Sequence, residues 1–354
     1  MYKILAINPG STSTKISLYE DEREVFVETL IHDDEELRPY KNIPDQYKFR
    51  EEKVLSCLEK NNFNIEALSA VVGRGGILPP VKSGAYKVND VMLDILKNRP
   101  RVEHASNLGG IIAYEIAKMV GVDAYIYDSV AVDELEPIAR VTGIPEVERV
   151  SLLHALNMRA CAIKVANRIN KKYEDCKFVV AHLGGGITLS VHSGGKMVDL
   201  LSDDEGPFAP ERSGRVPGRK LVDLCFSGQY NKNDITKKMR GNGGLKAHLG
   251  TVDAREVQKM IEQGDKNAEL IFEAMAYQIA KGIGELATVV KGDVDGIILT
   301  GGLAYSKLLT EWIKERVSFI GEVIIIPGEN EMEALTLGTL RVLRGEETHH
   351  EFVE

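Results

Sequence analysis

The sequence is poor in the features that mark a disulfide scaffold, a membrane protein or a nucleic-acid binder. Its four cysteines, Cys57, Cys161, Cys176 and Cys225, form no CxxC pair, and each sits in or beside an apolar segment. Neither a disulfide framework nor a zinc site is indicated, and reduced thiols in a cytoplasmic chain are the expectation. No apolar run reaches the roughly 18 residues that a membrane span needs, and Ile4 to Ile7 is too short for the apolar core of an export signal. Basic charge is also short. With 44 Lys and Arg against 53 Asp and Glu the formal charge is -9, which argues against unspecific attraction to nucleic acid or an anionic membrane. Any bound phosphate must then be held by local donors.

What is present is an alternation of short apolar strands and helices long enough for two cores, since 354 residues exceed the size at which one core keeps growing. Tyr2 to Ile7, Lys15 to Tyr19 and Val25 to Leu30 read as a three-strand meander. A second meander runs through Phe178 to Leu183, Thr188 to His192 and Lys196 to Leu201, which points to an internal duplication. Helical segments alternate with apolar strands at Ala70 to Gly73, Ala124 to Tyr127, Gly296 to Thr300 and Val323 to Ile326, so the class is α/β. Ala268, Ile271, Phe272, Met275 and Ile279 make an apolar stripe at helical spacing, predicting a helix over Lys266 to Val290. A helix over Ser151 to Asn170 marks the expected boundary. The domains are taken as 1–155, completed by the C-terminal segment 333–354, and 156–332.

Three glycine-bearing turns stand at strand ends. Asn8-Pro9-Gly10-Ser11-Thr12-Ser13-Thr14-Lys15 carries one glycine, four consecutive hydroxyls and a lysine, which can aim amides, hydroxyls and a charge at phosphate oxygens. The GxxxxGK[ST] spacing is absent and a strand follows, so this is no Walker A loop. An ordinary Ser/Thr-rich hairpin fits the same residues. His182-Leu183-Gly184-Gly185-Gly186-Ile187-Thr188 is the matching turn of the second meander, where bare backbone lets phosphates approach. Gly301-Gly302-Leu303-Ala304-Tyr305 follows a third strand and opens a helix, a place for a sugar and base.

On these turns the sequence resembles the acetate kinase and butyrate kinase family, within the superfamily of sugar kinases, actin and chaperone ATPases, from Tyr2 to about Leu343. The resemblance implies two duplicated actin-like (ribonuclease H-like) domains with an interdomain nucleotide cleft. It implies ATP or ADP at Asn8, Gly10, Ser11, Thr12 and Lys15, at His182, Leu183, Gly184, Gly185 and Gly186, at Asp253 and Arg255, and at Gly301, Gly302, Leu303, Ala304 and Tyr305. It implies at least a dimer, a small-molecule carboxylate and a nucleotide as partners, and Mg2+ held by Asn8 and Glu331, with Glu329 and Glu333 close enough to leave that glutamate open.

Carboxylate and phosphoryl donor are both anionic, so the reaction needs cations on the transferring oxygens, and the planar guanidinium fork suits them. Arg74, among glycines after a strand, and Arg212, in Gly206-Pro207-Phe208-Ala209-Pro210-Glu211-Arg212, match the family's arginines. By its own sequence context either is more often a surface or ion-pair residue. Asp128, at a strand end, matches the catalytic aspartate, and a helix N-cap or a loop acid fits it as well. His154 matches a histidine that donates to the phosphoryl oxygens, and His104 a further active-site histidine. His32, His192, His248, His349 and His350 show no ligand-like partners. Where acetate kinases carry bulky aliphatics after the arginine this chain has Gly75 and Gly76, and before His154 it has Leu153 rather than an aromatic. A deeper acyl pocket is expected, pointing to butyrate, with isobutyrate, propionate and acetate as alternatives. A sugar kinase or an ATP-switched module of the same fold is the more distant reading.

Overall fold

In the computed structural model, which describes residues 1–100 and 103–354, contacts divide the chain into two units, 1–133 with 330–354, and 134–329. Val102, which opens the segment around His104, lies outside the described residues.

The first unit is built on β1 (Lys3–Pro9), β2 (Ser13–Glu20), β3 (Arg23–Ile31), β4 (Ala70–Arg74), β5 (Ala85–Lys87), β6 (Asp123–Tyr127) and β12 (His350–Glu351). They form one sheet in the order β12-β5-β6-β4-β1-β2-β3. β4 is parallel to β1 and to β6, and the central strands are buried through Ile4 to Ile7 and Ala70 to Val72. Strands covered on both faces must be apolar throughout, which is why these segments read as continuous runs rather than alternations.

The second unit uses β7 (Lys177–Leu183), β8 (Ile187–Ser193), β9 (Lys196–Leu201), β10 (Gly296–Gly301) and β11 (Val323–Pro327), in the order β11-β10-β7-β8-β9. The helix Lys266–Ala287 covers this sheet with Phe272, Met275, Ile279 and Ile283 fully buried. Its apolar stripe is the one legible in the sequence.

The duplication extends to detail. In both units the central order is third strand, second, first, then two parallel strands. Each meander also carries a register shift at one corresponding place, between Leu18 and Tyr19 and between Val191 and His192. In both meanders the shift falls in the pairing of the second strand with the third, where a bulge bends the strand and increases its local twist.

Two expectations need correction. The helix expected from Ser151 begins at Ala155. His154 lies outside it with φ -83 and ψ 56, because Thr188 Oγ1 takes the ring Nδ1 at 2.9 Å and the backbone N–H at 3.5 Å. The cysteines are all free, but Cys225 is exposed while the other three are buried. No helix among the described residues is long and apolar enough to cross a membrane.

Candidate active site

In the first unit the β1–β2 turn is tight. Gly10 N–H bonds to Ser13 O at 2.8 Å, and Asn8 on β1 stands directly opposite Lys15 on β2. Ser11 and Thr12 are exposed and Lys15 is half-buried. Beneath the turn lies Arg50, which motif reading missed although the signal was present. In the helix Tyr47–Lys60 the buried positions are 50, 54, 57 and 58, so the apolar row reaches an arginine.

Arg74 is the last residue of β4. Its Nη1 and Nη2 each approach a different oxygen of Glu331 at 3.1 Å, a two-pronged ion pair. Asn8 Nδ2 donates to the same carboxylate at 2.5 Å, and Arg74 Nη1 reaches Asn8 Oδ1 at 3.4 Å. Glu331 opens the helix Glu331–Leu343 and is only 4% exposed. The chain thus gathers Asn8, Arg74 and Glu331 from three distant places. The Asn8 amide oxygen and one carboxylate are hard donors of the kind magnesium accepts alongside phosphates and water. No group of three or more His, Cys, Asp or Glu stands ready for a metal among the described residues.

Gly75 and Gly76 leave no open space where their side chains would be, so these two glycines do not themselves deepen an acyl pocket. A Cβ at Gly75 would lie 2.6 Å from Ser129 Cβ, and one at Gly76 would lie 2.5 Å from Asn107 Oδ1 and 2.7 Å from Leu96 Cδ2. Here the missing side chains admit close packing of neighbouring elements rather than a longer ligand. Asp128 follows β6 with φ 40 and is buried. Its Oδ1 accepts from Gly84 N–H at 2.7 Å, and its own N–H donates to Gly84 O at 3.2 Å. No helix starts at Asp128, so the N-cap role is not what the fold uses it for. His104 is exposed, with Nδ1 2.8 Å from Ser106 Oγ just before the helix Asn107–Val120.

In the second unit His182 occupies the β7 position that faces Thr188 on β8. Its ring is buried and stacks on His154 with centroids 3.9 Å apart and planes at 10°. Asn157 Nδ2 lies 2.9 Å from His182 Nδ1 and 3.1 Å from Thr300 Oγ1. An amide nitrogen can only donate, so His182 Nδ1 is the acceptor of this bond. Asn157 was missed by motif reading, although it is a polar residue on the buried row Asn157, Cys161, Val165 of its helix.

Leu183, Gly184 and Gly186 are buried and Gly185 is exposed. The Arg212 guanidinium lies close against this loop. A Cβ at Gly186 would come within 2.9 Å of Nη2 and closer still to Cζ and Nη1. Arg212 Nη1 donates to Asp203 Oδ2 at 2.9 Å, while its buried Nε has no hydrogen-bond partner. Burial pulls the guanidinium pKa below its ordinary value, and Asp203 opposes the fall. Nothing in the sequence pattern flagged Asp203, since the pairing depends on how the loop after β9 folds back.

The third turn closes on the same loop. Gly301 has φ 91, and a Cβ there would meet the Leu183 backbone at 2.7 Å. Gly302 is exposed with open space above it, Leu303 and Ala304 are buried, and the Tyr305 ring is exposed. Asp253 caps the helix Ala254–Glu262, and the Arg255 side chain closes on it at 2.6 to 3.1 Å. That pairing holds the Asp253 carboxyl down to about 2. Leu153 is buried beside His154.

Residues 149–334 match the model of the acetokinase family. Among solved structures, the Porphyromonas gingivalis acetate kinase aligns with a TM-score of 0.81 and 19% identity, over 97% of this chain and 100% of that one. A propionate kinase from Francisella tularensis subsp. tularensis SCHU S4 gives 0.75 and 15%, over 95% of this chain and 99% of that one. A ROK hexokinase from Thermus thermophilus gives 0.52 and 14%, over 97% and 100%. At these identities the likeness describes the fold, a duplicated α/β architecture common to acid and sugar kinases.

Proposed function

This chain belongs to the acetokinase family, and from that premise we propose that it transfers the γ-phosphoryl group of ATP to a short aliphatic carboxylate, with butyrate as the favoured acid and an acyl phosphate and ADP as products. The observation that carries the reading is Arg212, a buried guanidinium laid against the open backbone of the Gly184–Gly186 loop with its Nε unsatisfied. A buried donor left without a partner is costly, and a phosphoryl oxygen would satisfy it.

The carboxylate is ionised at neutral pH and needs no base, so in-line attack depends on positioning and on charge neutralisation. In this reading Arg212 and Arg74 hold the equatorial oxygens, and His154, fixed through Nδ1 by Thr188, offers its other ring nitrogen to them. Asp128 orients the reacting carboxylate, and Lys15 and the Ser11 and Thr12 turn hold phosphates. Asn8 and Glu331 would hold magnesium, which when bound would supply positive charge to screen the phosphates.

Butyrate is favoured by Leu153 in the place of an aromatic and by the His182–Gly186 spelling. Acetate or propionate is the second reading, supported by the filled space beside Gly75 and Gly76 and by the acids named for the structural relatives. Two more buried methylenes should favour butyrate over acetate by about tenfold. Acyl hydroxamate formation with ATP across acetate, propionate, butyrate, isobutyrate and valerate decides between them. A maximum of kcat/KM at butyrate or isobutyrate is expected. A maximum at acetate transfers the assignment to the second reading, and no product with any acid rejects the kinase.

A further inference from the structure

Arg50 is fully buried, yet its hydrogen-bond partners are oxygens of uncharged groups. Nη1 donates to Gly10 O at 2.8 Å, Ser13 O at 2.9 Å and Thr14 Oγ1 at 3.2 Å. Nη2 donates to Ser11 O at 2.9 Å, and Gln46 Oε1 receives both Nη2 at 2.8 Å and Nε at 3.1 Å. Burying a cation with no carboxylate beside it costs several kcal/mol as a rule. The desolvation is visible in its pKa, lowered to about 10. A charge kept in that setting would be compensated by an anion arriving on the other face of the turn.

Peptide geometry supplies the second half of the argument. No peptide bond among the described residues is cis, and in a planar trans peptide the carbonyl and the following N–H point to opposite sides. Drawing the Gly10 and Ser11 carbonyls down onto Arg50 therefore turns the N–H groups of Ser11 and Thr12 up and away from it. Successive outward amides make a concavity suited to an anion. His32 braces the far side, where its N–H donates to Thr12 O at 2.9 Å and its Nε2 lies 2.8 Å from Thr14 Oγ1.

We propose that Arg50 is the positioning residue of the β1–β2 turn, holding three of its carbonyls inward so that the Ser11 and Thr12 amides face a nucleotide phosphate, and placing an uncompensated positive charge beneath that phosphate. The proposal rests on the reading of this chain as an ATP-dependent kinase.

The test compares Arg50→Met, Arg50→Lys and Gln46→Ala in the full chain, with KM for ATP and for the acid measured separately. Hydrogen exchange of the segment 8–15 is followed with and without ADP. Arg50→Met should raise KM for ATP by roughly tenfold to a hundredfold, the range expected for hydrogen bonds to a charged donor, with KM for the acid changing far less. Arg50→Lys, which keeps the charge but loses the fork, should recover part of that loss. Gln46→Ala, which removes only the support of the guanidinium, should raise KM for ATP a few-fold. Equal rises in both KM values, or a KM for ATP within about twofold of wild type in all folded variants, overturns the proposal. If Arg50→Met does not fold, the other two variants decide by the same criteria. If wild type forms no acyl phosphate, the kinase reading fails alone. ADP protection of the segment 8–15 that is lost in Arg50→Met and partly kept in Arg50→Lys still supports the role of Arg50, and protection kept in full by every folded variant rejects it.

Discussion

Replacing Gly186 with alanine isolates the contact on which the kinase reading leans most. The new Cβ would point into the guanidinium of Arg212, 2.9 Å from Nη2 and nearer to Cζ. What it strikes is the end of a flexible side chain, so the clash is relieved by swinging Arg212 aside rather than by moving backbone. The stability cost is then bounded by the Arg212–Asp203 bond at 2.9 Å, at most about 1.5–3 kcal/mol for a charge-assisted pair. In a unit of this size that is a melting shift of roughly 3–12 °C. Activity should suffer far more, since losing one oriented donor to developing charge typically lowers kcat by about 10²–10³. The assay is acyl hydroxamate formation under saturating ATP, paired with a thermal melt. A cycle with Arg212→Ala separates mechanisms, because Gly186→Ala should add little once Arg212 is gone. Gly301→Ala serves as the contrast. With φ 91 and the Leu183 backbone 2.7 Å from the new Cβ, no side-chain rotation relieves it, and fold and activity should fall together. A kcat for Gly186→Ala within about threefold of wild type, or fully additive effects in the cycle, would refute the placement of Arg212 over the loop as the basis of catalysis.

Arg74→Ala leaves the Glu331 carboxylate, 4% exposed, with Asn8 but without its two-pronged partner. A loss of about 1–3 kcal/mol is expected by urea unfolding, and Arg74→Ala with Glu331→Gln should restore stability without restoring acyl phosphate formation; unrestored stability would show that the pair is not what Arg74 contributes to the fold. His32 and His192 are held down to about 4 and about 3, in each case chiefly by burial, from an ordinary value of 6.5. Both stay neutral in the fold while the unfolded chain takes up protons below pH 6.5. Stability present above that pH should therefore decline as pH falls toward 4. His192→Gln should flatten the dependence of melting temperature on pH between about 6.5 and 5, and an unchanged slope would exclude His192 as a source.

The sequence alone determined the α/β class, the two meanders and the positions of the three glycine turns. These depend on local rules: apolar runs form buried strands, and glycine ends them where backbone must come close. It also supplied Arg74 and Arg212 as candidates by residue type and setting. Tertiary structure decided which partner each charge takes, since Glu331 reaches Arg74 and Asp203 reaches Arg212 only through chain folding. It decided that Arg50, a surface residue by composition, lies under the first turn, and that Gly75 and Gly76 pack against Ser129 and Asn107 instead of leaving room for an acyl chain. The physical reason is that strand and turn propensities act over a few residues, whereas the burial of a charge and the filling of a space are set by segments distant in the chain.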